Sequence, residues 1–436
     1  MPESLKAAFF VVDELFTIEA RSLQYGCKNY KLEMTSGQGD ISLRKLQEMV
    51  RPKLNGGRKE DIYDVIVIGV GSMGSSTCYH LAKQGLKVLG LDQFDIPHEL
   101  GAHTGQSRII RQAYFEHPNY VPLLKSAYNN WSQLEQVSST QLFFKTGLLY
   151  FGPEDHFLIK DSQSSARQFG LEMTSLSHDQ QASAYPQFEM PQDFIRMVEV
   201  NAGFLTPERA ILTFLDQAVQ NGAVIQTHEP VLEWKRAKGM IEVKTQKHTY
   251  SCKKLVLSSG AWTSQLSTLD GLEVTRQIIA WAHTSDPELF QLDHFPTWTY
   301  ADPAAPGIYY GFPALPTATF GGPEGVKIAH HTKGVKTDPE RVNREVSKEE
   351  QRQLLDAVKT FVPGVESISA CKTCLYTNSP DDHFIIDFHP QDEDVVVAAG
   401  FSGHGFKFAS IVGEVLSDLV TSGNSKHPID FLRLQR

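Results

Sequence analysis

Cysteine is scarce in this chain. Only five occur, Cys27, Cys78, Cys252, Cys371 and Cys374, an odd and scattered set that excludes a disulfide framework and points to a reducing compartment. Long apolar runs are missing too. No stretch approaches the roughly 20 residues that cross a bilayer, so no membrane partner is expected. Positive charge is in deficit, with 41 Lys and Arg against 51 Asp and Glu over 436 residues, a net charge of -10. The cations are scattered rather than clustered, which argues against nucleic acid as a partner but leaves room for a locally positive pocket that takes a small anion. No second C-x-x-C accompanies Cys371-Lys372-Thr373-Cys374, so no metal site is expected. The final Leu434-Gln435-Arg436 does not match the usual peroxisomal ending, and the cytosol is the expected compartment.

What is present is organised around Ile62–Asp92. Val65-Ile66-Val67-Ile68 is the apolar run of a parallel strand buried on both faces. Gly69-Val70-Gly71-Ser72-Met73-Gly74 follows, then a helical segment, and then Lys87-Val88-Leu89-Gly90-Leu91-Asp92. This is strand, glycine-rich turn, helix, strand and acid in the order of a dinucleotide-binding unit. Gly69 turns the chain, Gly71 clears the way for a pyrophosphate, and Gly74 lets the helix sit close on the sheet. The helix N-terminus offers free N–H groups to the phosphates, and Asp92 can accept from ribose hydroxyls. The unit alone does not separate FAD from NAD.

The length implies two domains. Residues 1–60 precede the nucleotide unit. Leu5, Phe9, Val12 and Phe16 have helical spacing, but Glu3, Asp13, Glu14 and Glu19 argue against a transit peptide, leaving a loosely docked extension of unknown role. Arg108-Ile109-Ile110-Arg111 would put two arginines on one face if helical. One fork would suit a pyrophosphate and the other a substrate carboxylate; the alternative is a surface pair bonded to nearby acids. Further strands are predicted at Gly147–Gly152, Lys254–Leu257 and Asp394–Gly400, with helices at Pro122–Leu134, after Pro207, over Ser347–Phe361 and from about Ala409. Gly403 and Gly405 lie in the glycine-rich turn after the last strand, ahead of Lys407, where backbone N–H groups and a lysine can meet an anion. Nucleotide-fold segments thus recur at the start, middle and end of the chain. The expected division is 61–145, 200–270 and 365–436 for a discontinuous nucleotide-binding domain, and 146–199 with 271–364 for an inserted, sheet-rich substrate domain. The fold class is α/β, a Rossmann-like domain carrying this second domain.

Several stretches together resemble the FAD-dependent amine oxidases typified by monomeric sarcosine oxidase and N-methyltryptophan oxidase, in the D-amino-acid-oxidase-like superfamily. They are Asp64–Gly69, Arg108–Arg111, Ile308-Tyr309-Tyr310-Gly311-Phe312-Pro313, Cys374-Leu375-Tyr376-Thr377, His383–Asp387 and Gly400–Lys407. The resemblance runs from about Tyr63 to the C-terminus. It implies FAD held covalently through Cys374, whose thiolate can attack a ring methyl group of the oxidised flavin. Read from the residues alone, Cys371 and Cys374 could instead be a redox pair. The resemblance further implies that Arg111 and Lys407 bind the substrate carboxylate, that Arg108 lies against the flavin, and that Tyr310 and His331 shape the pocket. Lys327 matches the lysine that promotes reaction with oxygen, where a buried cation stabilises the charge oxygen acquires.

Two departures stand out. His103-Thr104 replaces a pair of histidines, and His330 precedes His331 where relatives carry other residues. Trp281 looks closer to the N-methyltryptophan oxidase. The expected activity is oxidation of small secondary-amine amino acids, sarcosine or other N-methyl amino acids first, by O2 and water to an aldehyde, a primary amino acid and H2O2, by a monomer. The alternatives are a pipecolate-, proline- or N-methyltryptophan-type oxidase, a dehydrogenase of the same fold with another acceptor, and a non-catalytic nucleotide-binding scaffold.

Overall fold

The computed structural model describes residues 41–56 and 62–436. The predicted helix around Leu5–Phe16 lies outside the described residues. Five parallel strands form the centre of the first sheet, in the order Val224–Gln226, Val88–Leu91, Ile62–Ile68, Thr249–Leu257 and Asp392–Ala399. The predicted segments from the start, middle and end of the chain therefore lie side by side. Their near-continuous burial follows from covering both faces. Val65, Val67 and Val88 pack with the helices Ser72–Lys83, Pro207–Gln220 and Ala409–Ser422. Ile66, Ile68, Leu89 and Leu91 pack on the other side with Ile241 and Val243 of an antiparallel hairpin, Val231–Ala237 and Met240–Thr245. At Gly74 a Cβ would lie 1.9 Å from the Gly69 carbonyl oxygen, so only glycine lets this helix start so close to the strand.

The second sheet has nine strands, with Glu273–Thr284, Val326–His331, Ile308–Phe312, Thr297–Tyr300, Leu148–Gly152 and Ile195–Glu199 adjacent in that order. Its apolar face packs on the helix Lys348–Lys359 and on Phe361. That helix starts in a reciprocal capping box between Ser347 and Glu350, which satisfies N–H groups the helix itself leaves free. Val365–Asn378 pairs antiparallel with the whole of Glu273–Thr284. We propose a division by sheet membership, in which this strand goes with the substrate domain rather than with the nucleotide-binding segment expected at 365–436.

A third, small sheet joins the two. Arg108–Ile110 pairs with Gly203–Leu205, which also pairs with Phe143–Phe144. The helix considered for Arg108–Arg111 is therefore a strand. Two consecutive β-branched residues favour extended backbone, and cross-strand pairing to Phe204 and Gly203 fixes it.

Residues 41–56 are not loosely attached. The helix Leu43–Val50 is capped by Ser42 and buries Leu46 and Val50, its core contacts being shared with Phe214 and Ile225. Lys53 forms an ion pair with Asp216. Asn55 and Thr227 exchange two hydrogen bonds, at 2.9 and 2.8 Å. No described helix is long and apolar enough to cross a membrane.

Candidate active site

One elongated cavity runs from the C-terminal ends of the parallel strands into the second sheet. Its nucleotide end is lined by Gly69, Gly71, Ser72, Asp92, Ser258 and Trp262. The helix Ser72–Lys83 has no side-chain cap, so its first N–H groups open on the cavity, where an anion is favoured. A Cβ at Gly71 would meet nothing nearer than the His103 Nδ1 at 3.7 Å, leaving room for a phosphate. Asp92 sits just past its strand, held by the N–H groups of Val70 at 2.8 Å and Phe94 at 3.0 Å. Burial raises its carboxyl to about 6 against the pull of those two donors. A strand-end acid, an uncapped helix start and an open glycine face in one long cleft fit the ribose and pyrophosphate of a dinucleotide such as FAD.

The far end of the cavity is lined by Arg111, Glu116, Tyr310, His331, Tyr376 and Lys407. Arg111 is buried, with 3% exposure. It donates to the Ala113 carbonyl at 2.8 Å and to both oxygens of Glu116 at 2.7 and 2.6 Å, and its guanidinium lies 3.9 Å from the centre of the Phe115 ring. Burial works against its charge, but Glu116 holds it protonated above the ordinary range. Burial alone would raise the Glu116 carboxyl; Arg111, His404 and Lys407 outweigh it and hold it at about 2. Lys407 follows the turn Gly400–Gly405 and donates to the His404 carbonyl at 2.7 Å. Burial, reinforced by Arg111 and opposed by Glu116, pulls its amine down to about 7. Arg111 and Lys407 thus both line this end of the cavity, one a fixed fork and the other a point charge.

The turn carrying Gly403 and Gly405 lies directly on Tyr376. At Gly403, with φ +77°, a Cβ would lie 2.3 Å from that ring, so a side chain there would displace the tyrosine. Tyr376 Oη lies 3.1 Å from His331 Nδ1. Burial takes His331 to about 4 and Tyr310 to about 12, so near neutrality both are uncharged hydrogen-bonding groups. His330 points away, stacked on Tyr309 at 4.0 Å, because successive strand residues face opposite sides.

Cys374 is buried and lines the cavity beside Tyr376. Burial raises its thiol, while Arg108, Lys327 and Arg344 oppose the rise. Cys371 packs on the other face with the helix-side cluster, so strand geometry separates the two cysteines and removes the redox-pair reading. Arg108 lines the cavity and donates to the carbonyls of Ser107, Ala102 and Thr104 at 2.8, 2.8 and 2.6 Å. Its bonds therefore brace the loop that carries His103. Thr104 contributes its carbonyl to this brace rather than its side chain.

Two expected residues lie apart from the cavity wall. Gly74 acts in packing, as its position under Gly69 requires. Lys327 is buried one layer behind, donating to the carbonyls of Gly105 and Ser107, each at 2.6 Å. Trp281 is likewise outside this cavity; it lines a second, smaller one and donates to Gln106 Oε1 at 2.6 Å. It therefore carries no information about the substrate pocket.

Sequence reasoning did not single out Glu116, Tyr376, His103 or His404 as site residues. Tyr376 had a signal, since it lies two residues from Cys374 on a strand and so shares its face. Glu116 had none, for its relation to Arg111 is made by the loop between them. His404 is tied to Tyr114 Oη at 2.5 Å, a contact across 290 residues that no local pattern announces.

Residues 64–419 match the family described as DAO, FAD dependent oxidoreductase. The chain is 37% identical over 382 residues to a monomeric sarcosine oxidase of Arthrobacter sp. (strain TE1826), covering 86% of this chain and 96% of that protein. It is 34% identical over 370 residues to an N-methyl-L-tryptophan oxidase of Yersinia pestis (strain Pestoides F), covering 84% and 97%. Among solved structures, NikD, described as an unusual amino acid oxidase, shares the fold with a TM-score of 0.76 at 22% identity over 86% of this chain and 98% of its own. The glycine-rich unit, the uncapped helix and the match over most of the chain lead to one conclusion: this chain belongs to the DAO family of FAD-dependent oxidoreductases.

Proposed function

We propose that the chain is a flavin oxidase of small secondary-amine amino acids, with sarcosine and other N-methyl amino acids as first substrates. The observation that carries this reading is the pairing of Arg111 and Lys407 at one end of a cofactor-sized cleft, beside Tyr310 and His331. An amino acid carboxylate fits a fork plus a point charge. To dock on Arg111 it must share or replace the bidentate bonds of Glu116.

Bound FAD supplies the two-electron acceptor that the side chains lack. The residues do the rest. Arg111 and Lys407 fix the carboxylate. Uncharged His331 and Tyr310 offer hydrogen bonds without repelling an amine, so the substrate can be held in its neutral form. Ile109, Phe115 and Ile308 supply apolar wall at this end, which suits an N-methyl group or a small ring. The products balance: N-methyl amino acid, O2 and water give the aldehyde, the primary amino acid and H2O2. Lys327 is assigned to the oxygen step, as a buried amine behind the cavity wall whose protonated form stabilises developing negative charge. Cys374 is assigned as the point of covalent attachment, supported by its burial in the cavity wall.

We further infer a monomer acting on a small molecule, in keeping with relatives named monomeric sarcosine oxidase, and retain the cytosol as its compartment. The test is anaerobic mixing of purified protein with sarcosine, pipecolate and N-methyltryptophan in turn, followed by admission of oxygen. Bleaching of flavin colour by one of them, with oxygen uptake and peroxide on reopening, is the expected result. Bleaching by none overturns the substrate class. Bleaching without oxygen uptake assigns the electrons to another acceptor.

A further inference from the structure

Lys327 lies in no ion pair within 4 Å among the described residues; its amine donates to the backbone carbonyls of Gly105 and Ser107 and, at 3.4 Å, to Ser107 Oγ, and it lies 4.7 Å from the centre of the Phe312 ring. Those carbonyls belong to a turn of unusual backbone. Gly105 has φ +110° and Gln106 φ +63°, and a non-glycine residue in that region persists only where its surroundings enforce it. Two groups enforce it here. The Gln106 side chain is fixed by Trp281 Nε1 at 2.6 Å and by its own bond to the Gly321 carbonyl. The turn's backbone is fixed by Glu208, whose Oε1 accepts from Gly105 N at 2.7 Å and Gln106 N at 3.2 Å.

Glu208 sits in the first turn of the helix Pro207–Gln220, where a carboxylate is favoured by the helix dipole. Trp281 is the cross-strand partner of Lys327 in the second sheet, so both side chains rise from one face of the sheet toward the same turn. The turn is clamped from the helix side by a carboxylate and from the sheet side by Trp281 and Lys327. Burial pulls the Lys327 amine well below its ordinary range and Arg108 adds to this, while Glu208 and Cys374 favour its charge.

We propose that Glu208 is a positioning residue for Lys327: by pinning the N–H groups of Gly105 and Gln106 it aims the carbonyls of Gly105 and Ser107 at the lysine amine and holds that amine in place for the reaction with oxygen. The proposal rests on the oxygen role assigned to Lys327 above. Glu208 touches neither the amino acid end nor the main cavity; it borders the smaller cavity behind the turn. Its loss is therefore expected to separate the two half-reactions.

The experiment compares Glu208→Gln, Glu208→Ala and Lys327→Met in the flavin-loaded enzyme. In Glu208→Gln a neutral oxygen replaces a charged acceptor, which weakens the two hydrogen bonds by about half. The expected result is reoxidation by oxygen slowed about 3- to 10-fold, with anaerobic flavin reduction by substrate within twofold of the parent. Glu208→Ala goes further in the same direction. The readout independent of turnover is hydrogen–deuterium exchange in peptides covering 102–108, where the Gly105 and Gln106 amides exchange about tenfold faster. Unchanged exchange, or equal slowing of both half-reactions, overturns the positioning role. If Lys327→Met slows reoxidation while the folded Glu208→Gln protein does not, this inference alone fails. If Lys327→Met leaves reoxidation unchanged, the role of Lys327 itself fails.

Discussion

Lys407 is expected to make anion binding depend on pH, in a direction that can be worked out from its surroundings. Its amine sits at about 7 because burial and Arg111 both disfavour the charge. A carboxylate arriving beside it restores the charge, so binding above pH 7 must take up one proton. Below pH 7 the lysine is already protonated and affinity is flat. Above pH 7 the association constant falls tenfold per unit, equivalent to about 1.4 kcal/mol for each, and reaches a 100-fold loss near pH 9. The neighbours do not blur this window. Glu116 stays ionised from about 2 upward, His404 and His331 are neutral above about 3 and 4, and Arg111 remains charged throughout. The assay titrates acetate against the flavin absorbance between pH 6 and 9 at constant ionic strength. Acetate is chosen because it has no amine, whose own deprotonation would run the other way for a substrate. Lys407→Met is expected to bind acetate about 10- to 100-fold more weakly at pH 6, the cost of a charged hydrogen bond, and to show no slope. A flat profile in the parent protein, or a slope that survives in Lys407→Met, refutes the assignment of Lys407 to the carboxylate.

Cys374→Ala is expected to leave flavin that is lost on acid precipitation, whereas Cys371→Ala keeps colour in the pellet; a coloured Cys374→Ala pellet ends the attachment role. Gly74→Ala places a Cβ 1.9 Å from the Gly69 carbonyl and should lower the unfolding free energy by about 2–4 kcal/mol, read as a shifted denaturation midpoint together with reduced flavin retention. Glu116→Gln removes the charge that competes for Arg111, so acetate should bind about tenfold more tightly at pH 6; weaker binding would mean that Glu116 orients Arg111 instead of competing for it.

The parallel core was legible because strands buried on both faces leave apolar runs, as at Val65–Ile68 and Val395–Val397, and because glycines with steric duties stand at fixed spacing. Relations made through space left no such trace. Glu208 reads in sequence as a favourable acid at a helix start, and it is that; nothing nearby says that its oxygen closes on a turn a hundred residues earlier. Lys327 reads as one polar residue in a strand. Only its register opposite Trp281, with both side chains meeting the turn at Gly105–Ser107, shows why a buried lysine is tolerated there.

Two misleading spacings have a single cause. Arg108 with Arg111, and Cys371 with Cys374, are pairs three residues apart. On a helix such residues share a face and can act on one ligand. On a strand they point to opposite sides. Both pairs lie in extended segments, the cysteines within Val365–Asn378 and the arginines along and just beyond Arg108–Ile110. The cysteines therefore divide between cavity and core. The arginines divide between the loop at 102–107 and the ion pair with Glu116, serving different ends of one cavity. What a three-residue spacing means is decided by the backbone beneath it, and here the β-branched Ile109-Ile110 and the long pairing with Glu273–Thr284 decide it. Cys374 faces the cavity with no disulfide partner among the described residues, which suits it to bonding a cofactor rather than another sulfur.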